Sequence, residues 1–119
     1  MGDLSKYFDR KEFACKCGCG FDDVHPRLIE RLEAVRELYC EPLLITSGCR
    51  CAKHNEASGG KEDSAHLRGL AADIQVSNSR ERYELLIFLL NRFYRIGIAK
   101  TFIHVDVDTL KDKDVCWMY

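Results

Sequence analysis

The sequence predicts an α+β domain, a small and mainly antiparallel sheet covered by helices. Two segments repeat their apolar residues at helical spacing, and three shorter ones run or alternate apolar as strands do. No repeat or Pro/Gly linker divides them, and only two prolines occur. At 119 residues, 46% hydrophobic and 31% charged, the chain fits one globular unit, residues 1–119, and leaves no room for a second. A domain of this size buries a little under about 70% of its unfolded surface, so its core does not depend on disulfides.

The elements follow in order. From Pro26 to Tyr39, Leu28, Ile29, Leu32, Val35, Leu38 and Tyr39 recur at 3.6-residue spacing, with His25 at the helix start and Pro26 suited to the first helical position. Pro42 follows its end, and Leu43–Thr46 is a short apolar run of the kind that becomes a buried strand. Residues 47–69, with Gly48, Asn55, Ser58, Gly59, Gly60, Ser64 and Gly69, read as a long ordered loop in which His54 is a surface residue. A loop of that length in a compact domain implies a functional reason for it. Leu70–Val76 reads as a strand, and Asn78 with Glu81 makes a capping box for a second helix. That helix is expected to bury Tyr83, Leu86, Ile87, Leu90 and Phe93 and to close at Gly97. Phe102–Val107 reads as a last strand, and residues 109–119 show no strong pattern.

Charge and hydropathy exclude several classes. Lys and Arg number 18 against 19 Asp and Glu, net charge −1, with no block of like charge, so nucleic acid is not an expected partner. The start, MGDLSKYFDRKEF, has no apolar leader, and the longest apolar run, Leu85–Leu90, is too short to span a bilayer. A product made in the cytoplasm without a signal peptide, with no membrane partner, is the expectation. Seven cysteines is an odd number, so no complete disulfide scheme exists within a monomer. Five of them cluster as Cys15-Lys-Cys17-Gly-Cys19 and Cys49-Arg-Cys51.

Three polar residues fit poorly with a purely structural role. His66 lies in the long loop, while Asp73 and His104 are embedded in apolar strands. A carboxylate buried in such a strand costs several kcal/mol unless it is paired or binds a cation. Two imidazoles and a carboxylate form the ligand set of a catalytic zinc, with the fourth position left to water. For each residue alone, a hydrogen-bonded core side chain is the competing reading, and the spacing by itself is no recognised motif.

The stretch Ser64-Ala-His66-Leu-Arg-Gly69-Leu-Ala71-Ala72-Asp73 resembles the SxHxxGxAxD signature of the M15 peptidases, the zinc D-alanyl-D-alanine carboxypeptidases and their phage endolysin relatives. Upstream, Ser47-Gly48-Cys49-Arg50, Asn55 and Gly59-Gly60 are similar to the family's SGYR…N…GG segment, with Cys49 where an aromatic is common. Downstream, Phe102-Ile-His104-Val-Asp106 resembles the last-ligand strand of the branch whose pattern ends in HxD. The resemblance covers residues 8–108 and implies a hedgehog/D-Ala-D-Ala-peptidase-like fold with zinc held by His66, Asp73 and His104.

A zinc held there would polarise the scissile carbonyl and bring the pKa of its water toward about 7. Asp106 shares a strand face with His104, which makes it the candidate general base; orienting a ligand histidine is its rival role. Other branches place an acid three residues before the last histidine, and here that position is Thr101. The resemblance also implies that Arg50 contacts substrate and stabilises the oxyanion, and that Ser64 binds a substrate carboxylate, against the alternatives of a solvated arginine and a turn serine. Gly69 is expected to shape the turn that brings His66 beside the Asp73 strand.

The function implied is hydrolysis of peptidoglycan stem peptides by a monomeric enzyme that reaches the cell wall after release by holin or lysis, or in a phage particle. A zinc-stabilised phage structural or wall-binding module without catalysis is the alternative. The cysteine clusters admit reduced thiols, which is the preferred reading, a disulfide such as Cys15 to Cys51 outside the cell, or a second, four-thiolate zinc.

Overall fold

A computed structural model describes residues 2–119. Helix α1 spans Pro26–Tyr39, the predicted range. Its first turn is capped by His25, whose Nδ1 accepts from the Arg27 N–H at 3.0 Å, and Leu28, Ile29, Leu32 and Val35 are its buried face. Leu38, expected inside, is 49% exposed.

Residues 47–69 are not a plain loop. They contain the short helix α2, Ala52–Ala57, and a 3₁₀ turn, Ala65–Arg68, each too brief to leave a periodic signal.

Helix α3, Ser79–Leu90, begins as expected at Asn78, whose side chain accepts from the Glu81 N–H at 2.9 Å. Its buried face differs from the expected one. Leu85 and Leu89 are buried within the helix and Phe93 beyond it, whereas Tyr83, Ile87 and Leu90 are 68%, 44% and 56% exposed. The six consecutive apolar residues from Leu85 to Leu90 surround the helix, so periodicity cannot fix its phase; packing does. The helix also stops before Gly97, which lies in a strand.

Five strands form one mixed sheet: β1 (Ile45–Ser47), β2 (Ala71–Gln75), β3 (Arg95–Ile98), β4 (Phe102–Asp106) and β5 (Val115–Met118), in the order β1-β2-β4-β3-β5. The β1–β2, β2–β4 and β3–β4 pairs are antiparallel and β3–β5 is parallel. Strands β3 and β5 were not expected. The first follows an apolar helix closely, and the second is a four-residue edge strand in the patternless tail.

Strand alternation divides the sheet into two faces. Ala72, Ile74, Ile96, Ile103 and Val105 join Leu28, Leu32, Val35, Leu85 and Leu89 in the core. Each fully buried leucine there contributes about 1.5–3 kcal/mol. Asp73, His104 and Asp106 project from the opposite face. The stretch before α1 has, among its described residues, a single 3₁₀ turn, Arg10–Glu12, yet sends Phe8 and Phe13 fully into the core, where their rings meet edge-on at 5.6 Å. No helix among the described residues is long and apolar enough to cross a membrane.

Candidate metal centre

The register of β2 against β4 places Asp73 directly opposite His104. His66 arrives from the 3₁₀ turn, which is fastened at both ends. Its start is held by the Arg50 N–H donating to the His66 carbonyl at 3.0 Å, and its end by Gly69 at φ 68°. A Cβ at Gly69 would lie 2.2 Å from the Asp23 carbonyl oxygen, so both backbone conformation and space require glycine.

His66 Nε2 lies 3.3 Å and His104 Nδ1 3.1 Å from Asp73 Oδ1, and the three side chains offer ligand atoms all within 4.8 Å of one another. Donors at the usual zinc distances of about 2.0–2.1 Å, spread tetrahedrally, stand about 3.3 Å apart. The opposite nitrogen of each imidazole is already engaged. His66 Nδ1 meets the Gly48 carbonyl at 2.6 Å, and His104 Nε2 meets Asp106 Oδ2 at 2.7 Å. These contacts fix the rings and leave the convergent nitrogens to face Asp73.

The carboxylates are anchored as well. Arg50 donates from Nη2 to Asp73 Oδ2 at 3.1 Å, and Ser47 Oγ and Asn55 Oδ1 hold its other nitrogens at 2.9 and 3.3 Å. Asp106 Oδ1 accepts from Arg95 Nε at 2.8 Å and from the Asp108 N–H at 3.1 Å.

Burial acts to raise the Asp73 pKa, but hydrogen bonds from His104 and His66 and their positive charge outweigh it and hold the carboxyl well below the usual range. Burial likewise opposes ionisation of Asp106, and His104, the Asp108 amide and Arg95 overcome it. His104 is pushed up: burial would lower its pKa, and the carboxylates of Asp106 and Asp73 more than reverse that.

The convergent atoms open on a cleft of about 720 Å³ whose walls include Arg50, Gly60, Ser64, Arg95, Trp117 and Tyr119. Ser64 Oγ accepts from the His66 N–H at 3.2 Å, so it braces the turn and also faces the cleft. Thr101 sits exposed in the turn before β4.

Sequence reasoning missed Arg95 and Trp117. Trp117 packs against His104 with the rings tilted at 52° and 5.4 Å between their centres, and the Arg95 guanidinium lies over the indole at 5.1 Å. Gly97 permits this approach, since a Cβ there would be 2.6 Å from Trp117 Nε1. The available signal was the chain's only tryptophan inside Val115–Met118, a run short enough to escape a strand assignment.

A buried histidine pair and a carboxylate, each held by an outer partner and open to a cleft, form a candidate metal-binding group on one face of an α+β sheet. The model of the family described as Peptidase M15 matches residues 6–106, and the chain belongs to that family of peptidases. No curated protein matches the chain.

Proposed function

We propose that the protein is a zinc-dependent peptidase that hydrolyses peptide bonds of bacterial peptidoglycan stem peptides, as a D-alanyl-D-alanine carboxypeptidase or related endolysin. The carrying observation is the convergence of His66 Nε2 and His104 Nδ1 on Asp73 Oδ1, at 3.3 and 3.1 Å, with the remaining nitrogen of each histidine engaged. When bound there, zinc would act as a Lewis acid on the scissile carbonyl and lower the pKa of a water ligand.

The chain's own residues do the rest. Arg50 fixes the orientation of Asp73 through one oxygen and keeps the other for the metal. Three of its five N–H donors are occupied within the protein, which leaves two to meet a substrate carbonyl or carboxylate in the cleft. Ser64 accepts a backbone N–H with its oxygen, and its hydroxyl proton is free to donate to a substrate carboxylate.

Of the two roles open to Asp106, the contacts favour orienting His104 over acting as general base. Both oxygens are engaged, and the His104 ring stands between Asp106 and the convergent atoms. The proposal includes the hedgehog/D-Ala-D-Ala-peptidase-like fold, a monomer, and action on the wall after release or from a phage particle.

A second reading, a zinc-stabilised wall-binding or phage structural module, draws on one observation. Asp63, Asp73 and Asp106 are the aspartates that line the cleft; two are tied by hydrogen bonds and Asp63 is exposed, while Thr101 replaces an acid. Incubation of zinc-loaded protein with purified peptidoglycan and with soluble muropeptides, followed by mass spectrometry, separates the two. Chelator-sensitive release of D-alanine or of a cleaved stem identifies the peptidase and its bond, and intact substrate selects the module.

A further inference from the structure

The two cysteine clusters, far apart in sequence, meet in space. Cys15, Cys17 and Cys19 come from one turn before α1, and Cys51 comes from the N-terminal boundary of α2. Each offers its Sγ atom, and the four sulfurs all lie within 4.8 Å of one another. The Cys15–Cys17, Cys17–Cys51 and Cys15–Cys51 separations are 3.4, 3.6 and 3.9 Å. Four thiolates at about 2.3 Å from a tetrahedral zinc stand about 3.8 Å apart. All seven cysteines are unbonded, and a disulfide scheme would use these four sulfurs only in pairs, whereas here each adjoins the other three.

We propose that Cys15, Cys17, Cys19 and Cys51 form a second metal site, a closed tetrathiolate centre for zinc that is structural and not catalytic. Four sulfur ligands saturate a tetrahedral ion and leave no position for water or substrate, and soft thiolates select zinc over hard cations. The surrounding backbone is arranged for anionic sulfur: the Cys51 N–H points to Cys15 Sγ at 3.4 Å, and the His54 N–H points to Cys51 Sγ at 3.4 Å. Cys17 and Cys19 are exposed, so the ion has an entry path, and Cys15 is buried on the inner side. The three remaining cysteines lie outside the group: Cys49 is buried in the core, and Cys40 and Cys116 are exposed. An odd cysteine count thereby has a consistent explanation.

The site also does what the fold requires. The chain before α1 has no α-helix or strand among its described residues, yet it must deliver Phe8 and Phe13 to the core. A metal bound to the turn just beyond Phe13 closes a long loop onto Cys51 and removes freedom from the unfolded chain. It also secures Arg50 from both sides, since the Cys49 N–H donates to the Phe13 carbonyl at 2.8 Å and Cys51 would be a ligand. The thiolate site therefore positions the guanidinium that holds Asp73.

The test is metal content of protein purified under reducing conditions in the presence of zinc. Wild type should carry one equivalent more than Cys17→Ser/Cys19→Ser, and His66→Ala/His104→Ala should keep the thiolate-bound equivalent. The cobalt-loaded wild type supplies a readout independent of variant folding. Only the cysteine site offers thiolate ligands, so a thiolate-to-cobalt charge-transfer band in the near ultraviolet belongs to it alone. Absence of that band, or an intact mass showing the cysteines oxidised in pairs before metal is added, overturns the proposal. Loss of metal from the histidine site alone, with the band retained, counts against the peptidase reading and leaves the cysteine site standing.

Discussion

Replacing Asp106 with Asn separates the two roles available to this residue. In the native structure Asp106 Oδ2 accepts a 2.7 Å hydrogen bond from His104 Nε2, and its other oxygen pairs with Arg95 at 2.8 Å. Asn keeps the shape and one acceptor, but it removes the charge that makes His104 Nδ1 a strong donor to the metal and leaves the Arg95 guanidinium, 13% exposed, without its counter-charge. Loss of such an outer partner typically costs about 10–100-fold in metal affinity, about 1.4–2.7 kcal/mol. Zinc affinity is measured by competition with a chromophoric chelator, and turnover is then assayed at zinc concentrations that saturate each protein. Asp106→Asn is expected to bind zinc at least about tenfold more weakly and to recover much of its turnover at saturating zinc. Unchanged zinc affinity with abolished turnover would refute the orienting role and assign Asp106 as the base.

Three further outcomes are expected. Leu89→Ala should cost about 2–5 kcal/mol by denaturant unfolding and the neighbouring Leu90→Ala no more than about 0.5, because Leu89 is fully buried and Leu90 is 56% exposed; equal costs would mean α3 is rotated. Gly69→Ala should destabilise by about 1–3 kcal/mol and weaken zinc binding, since its φ of 68° and the nearby Asp23 carbonyl shape the turn that carries His66; wild-type zinc affinity in this variant would contradict that link. In metal-free protein, the lowered Asp73 and Asp106 contribute fully above their unfolded value of about 3.9 and lose their contribution as pH falls through the folded values. His104, raised, contributes fully below about 6.5 and loses its contribution as pH rises through its folded value. Chelator-treated protein should therefore have a higher urea midpoint at about pH 5.5 than at about pH 8.5, and a flat or rising profile would contradict these shifts.

The grouping of His66, Asp73 and His104 was legible because two independent regularities coincide. Asp73 and His104 interrupt apolar strands where a buried charge needs a partner, and the Ser64–Asp73 motif ties His66 to the same site. Helix α1 was readable to the residue, since its apolar stripe is narrow and Pro26 marks its start. The phase of α3 was hidden by an apolar run wider than one face, and α2 and β5 by their brevity. Arg95 and Trp117 belong to the site only through the sheet order, which sets β3 beside β4 and β5 beside β3. A pairing between distant strands leaves no trace in local periodicity. The cysteine group was half visible: two clusters could be counted, but only the fold brings Cys51 to the first.

In the function proposed, His66, Asp73 and His104 hold the metal with which the peptidase hydrolyses stem peptides. Its most direct test is the rate of product release from purified muropeptides by wild type and by His104→Ala. Each protein is assayed with zinc, after chelation, and after zinc is returned. Wild-type hydrolysis should disappear on chelation and come back with zinc, and His104→Ala should stay inactive throughout while still showing folded-state circular dichroism. Hydrolysis that ignores chelation, or a His104→Ala protein as active as wild type, would rule out a catalytic metal at these three residues.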